Sequence, residues 1–370
     1  MIYAKIAVNG SGFTNQIISL ICSIINAIEC CNRVVVIEHF LNDYLKETYT
    51  PISQIINIIE FNDFLQKKYG IIVIDKIVSK IHLISARYGT DESSIDVTKE
   101  IKQSFLFNER FFISKYVDFT KIMGDPCVGK RKTLDLQYLV TMNLTECDKP
   151  CNVTYKLQYN YPELLTDNIV IDISNSEYIF YFSDLQNIRN NPYHFAIFED
   201  ILTHIQYSTQ LSNSSLITTR KLNKSNRINY VHLRVEPDAI THWSKKNGME
   251  YNAFQQKLES TYIKLIQKYM NPLDDIIILS NSAINGVIDF LLRNNYKVLI
   301  PEKCFKEREK NAIVDLLVSK KCNHVFLGCI NNQILNGSTY SYYISKIIDK
   351  TVMKVGIDID FINNSECVFY

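Results

Sequence analysis

Apolar residues recur along this chain with two periods, and the second half switches between them most regularly. β-branched runs predict strands over 228–235, 276–280, 297–300 and 324–327, and apolar positions three and four apart predict helices over 250–269, 284–293, 308–320 and 339–348. Four strand–helix pairs in succession specify a doubly wound parallel sheet, because parallel neighbours need a crossover and a helix supplies it. The first half opens the same way. A strand over 2–8 leads into a Gly-Ser turn, a helix over 14–29 carries Ile17, Ile18, Leu20, Ile21, Ile24, Ile25 and Ile28, and the run 33–37 reads as a buried parallel strand.

From about 40 to 210 the pattern is weaker: strands over 69–75 and 168–173 and a helix over 193–207 are predicted, and the rest reads as insertions. The polar passages 211–215 and 221–226, rich in Ser, Asn and Lys, read as an interdomain linker. The expected fold class is α/β. It comprises an N-terminal domain over 1–215, a second domain over 225–350, and a C-terminal tail over 351–370 that packs back on the first.

Ligands in open α/β sheets bind at the carboxyl ends of strands, and two such ends carry chemistry here. The first strand ends at Asn9-Gly10-Ser11-Gly12, and the strand opening the second half ends at His232-Leu233-Arg234-Val235-Glu236. A guanidinium suits phosphate because it offers paired donors and keeps its charge. Further on, Gly337 lets the backbone approach a ligand, while Ser338 and Thr339 place hydroxyls at a helix start, where N–H groups and the dipole favour anions. Two strand-end sites in one chain point to a nucleotide-sugar enzyme. The plain structural alternatives are an Arg234–Glu236 ion pair and an ordinary Ser338 N-cap.

Lys plus Arg number 40 and Asp plus Glu 39 among 370 residues, so no global field draws nucleic acid, and anion binding must be local. No apolar run approaches bilayer length, and the start lacks a signal-peptide pattern, so a cytoplasmic protein is expected. Ten cysteines without a CxxC pair read as free thiols. Cys147 and Cys151 lack the partner pair that a zinc site needs. Asp358-Ile359-Asp360 reads as a strand with exposed carboxylates, so no metal is expected.

The segments Gly10-Ser11-Gly12-Phe13-Thr14-Asn15-Gln16, His232-Leu233-Arg234-Val235-Glu236 and Gly337-Ser338-Thr339-Tyr340-Ser341 together resemble the GDP-fucose protein O-fucosyltransferase-like glycosyltransferases. They are similar to that family's Gly-Gly-x-x-Asn-Gln turn, His-x-Arg motif and Ser-Thr-Phe-Ser loop. The resemblance implies the GT-B architecture, two Rossmann-like domains facing across a cleft, and inverting transfer of fucose from GDP-fucose to a hydroxyl of a glycan or protein. No metal or other cofactor is implied. Gly10, Gly12, Asn15 and His232 would line the donor site, Arg234 would hold the β-phosphate, and Ser338, Thr339 and Tyr340 would bind phosphates. Asp315 resembles the acidic residue near the guanosine end.

Ser11 replaces a glycine, Tyr340 stands where Phe is familiar, and Val235-Glu236-Pro237-Asp238 departs from the Arg-Gly-Asp continuation of α1,2- and α1,6-fucosyltransferases. No base follows from a motif; Glu236 and Asp238 are the nearest carboxylates, His232 and His242 the nearest imidazoles. Rival readings are a transferase for another nucleotide sugar and an inactive nucleotide- or sugar-binding protein.

Overall fold

The computed structural model describes residues 2–6, 12–29, 34–37, 40, 42–43, 48–75, 79–107, 110–113, 119–130, 132–142, 151–161, 169–171, 178–180, 188–220, 222, 227–280, 285–331, 336–359 and 366–369. They form two compact units, Met1–Ser208 and Thr209–Tyr370.

In the first unit, β1 (Ile2–Ile6), α1 (Phe13–Glu29) and β2 (Val34–Ile37) make the expected β-α-β turn. Ile17, Leu20, Ile21 and Ile24 of α1 are fully buried. Helix α2 (Ile58–Tyr69) starts at Asn57, whose side chain accepts the Glu60 N–H, and ends at the left-handed Gly70. Strand β3 (Ile72–Asp75) follows at the sheet edge. Buried Asn62 of α2 donates to the Val73 carbonyl at 2.8 Å and accepts its N–H at 2.7 Å, so a side chain satisfies edge-strand groups.

The middle of the chain holds an antiparallel sheet that the sequence reading did not foresee. It is built from β4 (Ser79–Gly89), β5 (Ser94–Asp96), β6 (Lys132–Met142) and β7 (Cys151–Tyr161), in the order β7-β6-β4-β5. Strand β8 (Tyr178–Phe180) then returns to the parallel sheet, whose order is β3-β2-β1-β8. Helix α3 (Pro192–His204) closes the unit, with Asn191 capping its first turn.

The second unit begins with α4 (Thr209–Thr219), followed by β9 (Ile228–His232), α5 (Pro237–Lys246), α6 (Tyr251–Tyr269), β10 (Asp275–Leu279), α7 (Gly286–Arg293), β11 (Lys297–Leu299), α8 (Arg308–Ser319), β12 (Val325–Gly328), α9 (Thr339–Ile347), β13 (Met353–Ile357) and β14 (Glu366–Phe369). The sheet order is β11-β10-β9-β12-β13-β14, parallel except for the last pair. Every residue of β9 is buried, as expected of a central strand covered on both faces. Val231 and Leu233 join Ile240, Trp243, Phe254, Leu258 and Ile276 in the core, while Tyr230 and His232 reach α8 and α9 on the other face. The chain leaves β9 for β10 on one side and returns to β12 on the other, so the order reverses at β9/β12. That is the switch point at which ligands bind in such sheets.

Two expectations are corrected. Residues 211–215 are not linker but part of α4, which packs on α8 and buries Leu211, Ser215 and Thr218, so a polar stretch still supplies a buried stripe. The described residues 351–359 and 366–369 are no separate tail, since β13 and β14 extend the second sheet and buried Val355 and Ile357 join its core. Residues 237–246 form helix α5, which Pro237 opens at its first position, where the missing N–H costs nothing. Trp243 on this helix belongs to the core.

Candidate functional site

The site grows from the end of β9. Sheet pairing continues one residue past the strand, with the Leu233 N–H donating to the Leu279 carbonyl at 2.8 Å. Arg234 is the first residue beyond it. Its N–H donates instead to the Tyr262 hydroxyl of α6 at 3.2 Å, and that hydroxyl donates to the His232 carbonyl at 2.7 Å. The guanidinium emerges 23% exposed and meets two carboxylates: Nη1 lies 2.9 Å from Glu236 Oε2 and Nη2 donates to Asp238 Oδ2 at 3.1 Å. The Glu236 contact is an ion pair without aligned hydrogen-bond geometry. Glu236 is buried and Asp238 is 68% exposed, so the second carboxylate is the one free to move.

The other wall comes from β12 and α9. Gly328 ends β12, and a Cβ there would stand 2.7 Å from Ser341 Oγ and 2.8 Å from Phe326 Cζ, so glycine is what lets α9 approach. Gly337 adopts φ +119, and a Cβ would meet the Cys329 carbonyl at 2.6 Å. The structure thus gives that glycine a packing reason of its own. Ser338 caps α9, its Oγ accepting the Ser341 N–H at 3.4 Å. Thr339 is half-buried at the start of the helix.

His232 joins the walls: its Nδ1 is hydrogen-bonded to Ser341 Oγ at 2.6 Å, although the two residues are 109 apart in sequence. Burial, helped by the Arg234 charge, holds its imidazole down to about 3, so it is neutral in ordinary buffers and unsuited to act as a base there. His232 thus ties the end of β9 to a segment distant in sequence. His242 is exposed on α5. The Tyr340 ring lies 5.0 Å from the His232 ring, but its hydroxyl donates to the Ala312 carbonyl of α8 at 2.6 Å and is committed to protein rather than to a ligand. One turn on, Asp315 is half-buried; burial raises its carboxyl to about 7, against a smaller opposing effect of Lys303.

In the first unit, Gly12 stands just before α1, and its carbonyl accepts the Asn15 and Gln16 N–H groups at 3.0 and 3.3 Å. A Cβ at Gly12 would meet nothing within 4 Å among the described residues, so local packing does not demand the glycine. Asn15 is half-buried in the first turn. Gly10 and Cys147 lie outside the described residues, as does Asp360; Asp358 is half-buried just beyond β13 rather than an exposed strand carboxylate.

Tyr262 was missed by sequence reasoning. Phe254, Leu258, Tyr262 and Leu265 recur at helical spacing and are all buried, so the sequence shows a core position and hides the hydroxyl's partners. Cys329 was missed for the same reason. Among the described residues no group of three or more His, Cys, Asp or Glu converges as a metal set, and no helix is long and apolar enough to cross a membrane.

Fold and site together define an α/β protein with a charged, hydrogen-bonded centre at the switch point of its second sheet. No family model and no curated protein matches the chain. Among solved structures it is similar to NodZ α-1,6-fucosyltransferase soaked with GDP-fucose, at 10% identity over 99% of this chain and 98% of that one, with a TM-score of 0.48. Fucosyltransferase NodZ from Bradyrhizobium gives 10% over 96% of each chain and 0.46, and POFUT1 in complex with GDP gives 11% over 95% of each and 0.44. Similarity at this level carries no argument about residue roles, and the chemistry is read from the chain's own side chains.

Proposed function

We propose that the chain is an inverting fucosyltransferase that takes GDP-fucose and transfers the sugar to a hydroxyl of a glycan or protein, without a metal. The observation that carries this is the 2.6 Å His232–Ser341 contact, which sets the Arg234 strand end beside the N-terminus of α9 at the switch point. A helix start presents N–H groups without intrahelical partners and the positive end of a dipole, and Arg234 adds a full charge. As the bond from the sugar anomeric carbon to the β-phosphate oxygen breaks, charge gathers on the departing diphosphate, where fixed donors stabilise it most. Ser338 and Thr339 would contact the phosphates. A raised, half-buried Asp315 suits a partner that donates hydrogen bonds, as a guanine edge does. The choice of fucose rests on the motif resemblance.

The test is turnover. Purified protein with an acceptor panel should release GDP from GDP-fucose in EDTA, with GDP-mannose and UDP-glucose inert, and Arg234→Ala should abolish release while keeping the melting midpoint. Full activity of that variant would refute the assignment. One observation favours a second reading: Arg234 already faces two carboxylates. In a non-catalytic binder that cluster would be structural, and no donor would turn over with any acceptor.

A further inference from the structure

One side chain, Tyr262 of α6, meets three of the groups that hold the switch-point site. The Tyr262 hydroxyl has one proton, which goes to the His232 carbonyl at 2.7 Å. Its oxygen accepts the Arg234 N–H at 3.2 Å and lies 3.0 Å from Cys329 Sγ. With the hydroxyl proton used, the thiol is the donor in that third contact. Burial holds the Cys329 thiol up at about 12 and the Tyr262 phenol well above its ordinary range, so both keep their protons.

From Cys329 the connection runs on. The Ser338 N–H donates to the Cys329 carbonyl at 2.9 Å, the Ser341 N–H donates to Ser338 Oγ at 3.4 Å, and Ser341 Oγ meets His232 Nδ1 at 2.6 Å. The contacts close a ring through Tyr262, His232, Ser341, Ser338 and Cys329, linking α6, the end of β9, the residue after β12 and the start of α9. Arg234 hangs from this ring by its backbone N–H alone. Among the described residues its guanidinium is otherwise tied to buried Glu236 and exposed Asp238, and a phosphate would displace the latter.

We propose that Tyr262 is the positioning residue of the site: its hydroxyl fixes the backbone from which Arg234 reaches the ligand and keeps that arginine in register with the α9 N-terminus. It touches neither ligand nor reacting atoms. Tyr262→Phe keeps the ring in the core and removes one oxygen, leaving the His232 carbonyl and Arg234 N–H without their partner. Arg234 then gains backbone freedom that binding must remove.

This rests on reading the switch point as a phosphate site, and GDP is the probe that separates the two claims. Titration calorimetry with GDP, far below every melting midpoint, would compare the unmodified protein, Tyr262→Phe, Arg234→Lys and the double variant. Tyr262→Phe should weaken GDP by roughly tenfold. The loss should largely vanish in the Arg234→Lys background, because lysine offers a flexible point charge with no fork to align. A purely structural role would lower the melting midpoint and leave affinity unchanged. GDP bound equally well by Tyr262→Phe, or a loss undiminished beside Arg234→Lys, overturns the inference. No GDP binding by the unmodified protein overturns the phosphate site itself and the inference with it. Should Tyr262→Phe fail to fold, a crystal structure of the unmodified protein with GDP decides: Arg234 on the diphosphate with its N–H still on Tyr262 supports the role, and a disengaged hydroxyl refutes it.

Discussion

Asp238→Asn separates the two uses of Arg234 most sharply. The guanidinium lies 2.9 Å from Glu236 and 3.1 Å from Asp238, so the cluster carries a net charge of −1 where a diphosphate is proposed to bind. Glu236 is buried beside the arginine, whereas Asp238 is 68% exposed at the first turn of α5 and can swing into water. An incoming phosphate therefore competes with Asp238 for Nη2. Exposed pairs of this kind contribute about 0.2–1 kcal/mol. An unpaired carboxylate left about 4 Å from a phosphate charge adds repulsion of about 1 kcal/mol in a water-like dielectric. Asparagine removes both terms, so GDP should bind tighter by about 1–2 kcal/mol, roughly five- to thirtyfold.

Two further readouts follow from the same contacts. The gain should shrink as salt rises, because all the charges involved are near the surface. The melting midpoint should fall slightly, because an acidic residue in the first turn of a helix contributes about 0.3–1 kcal/mol that asparagine gives up. Calorimetric titration with GDP at low and high salt, with a thermal melt beside it, measures all three. If GDP binds no tighter, or more weakly, Asp238 is not a competitor for the guanidinium, and the phosphate site is wrongly drawn.

Gly328→Ala should cost about 1–3 kcal/mol and weaken GDP binding, since the added methyl meets Ser341 Oγ and Phe326 Cζ and pushes α9 off β12; a thermal melt and the same titration check it. His232 is held near 3 when folded against 6.5 ordinarily, so the unfolded chain takes up a proton that the folded chain refuses; stability present above about 6.5 should drain away as pH falls toward 3, and His232→Gln should flatten that part of the melting profile. Asp315 behaves oppositely: held at about 7 against 3.8, it contributes stability below 3.8 that is lost as pH rises through 7, so Asp315→Asn should raise the melting midpoint most at pH 8. The same variant should weaken GDP if Asp315 faces the base, and a gain in stability with unchanged affinity would remove it from the site.

The second sheet was legible because its strands are β-branched runs buried on both faces and its helices carry regular apolar stripes; 250–269 became Tyr251–Tyr269 almost unchanged. Helix α5 was not, because Pro237 and the surrounding charges suggest a loop and only Ala239, Ile240, Trp243 and Ser244 face inward. In the antiparallel sheet Leu134 and Leu136 are buried between half-buried Thr133, Asp135 and Gln137, a true alternation, but the register shifts between Gln137 and Tyr138 and the pattern is cut after a few residues.

The site divides along the same physical line. His232, Arg234, Ser338 and Thr339 were readable because strand ends and helix starts are local features, and the polarity of a residue there has few local explanations. The groups that hold them are nonlocal. Tyr262 and Cys329 look like core in sequence and are core in structure, yet the Tyr262 hydroxyl is turned toward the backbone of the site and the Cys329 thiol toward that hydroxyl. A buried polar atom must find a partner, and at a switch point the partners at hand are the strand-end groups that leave the ladder there. Tyrosines and cysteines buried beside the carboxyl ends of β9 and β12 are therefore where positioning residues belong, and a sequence pattern alone classes them with leucine.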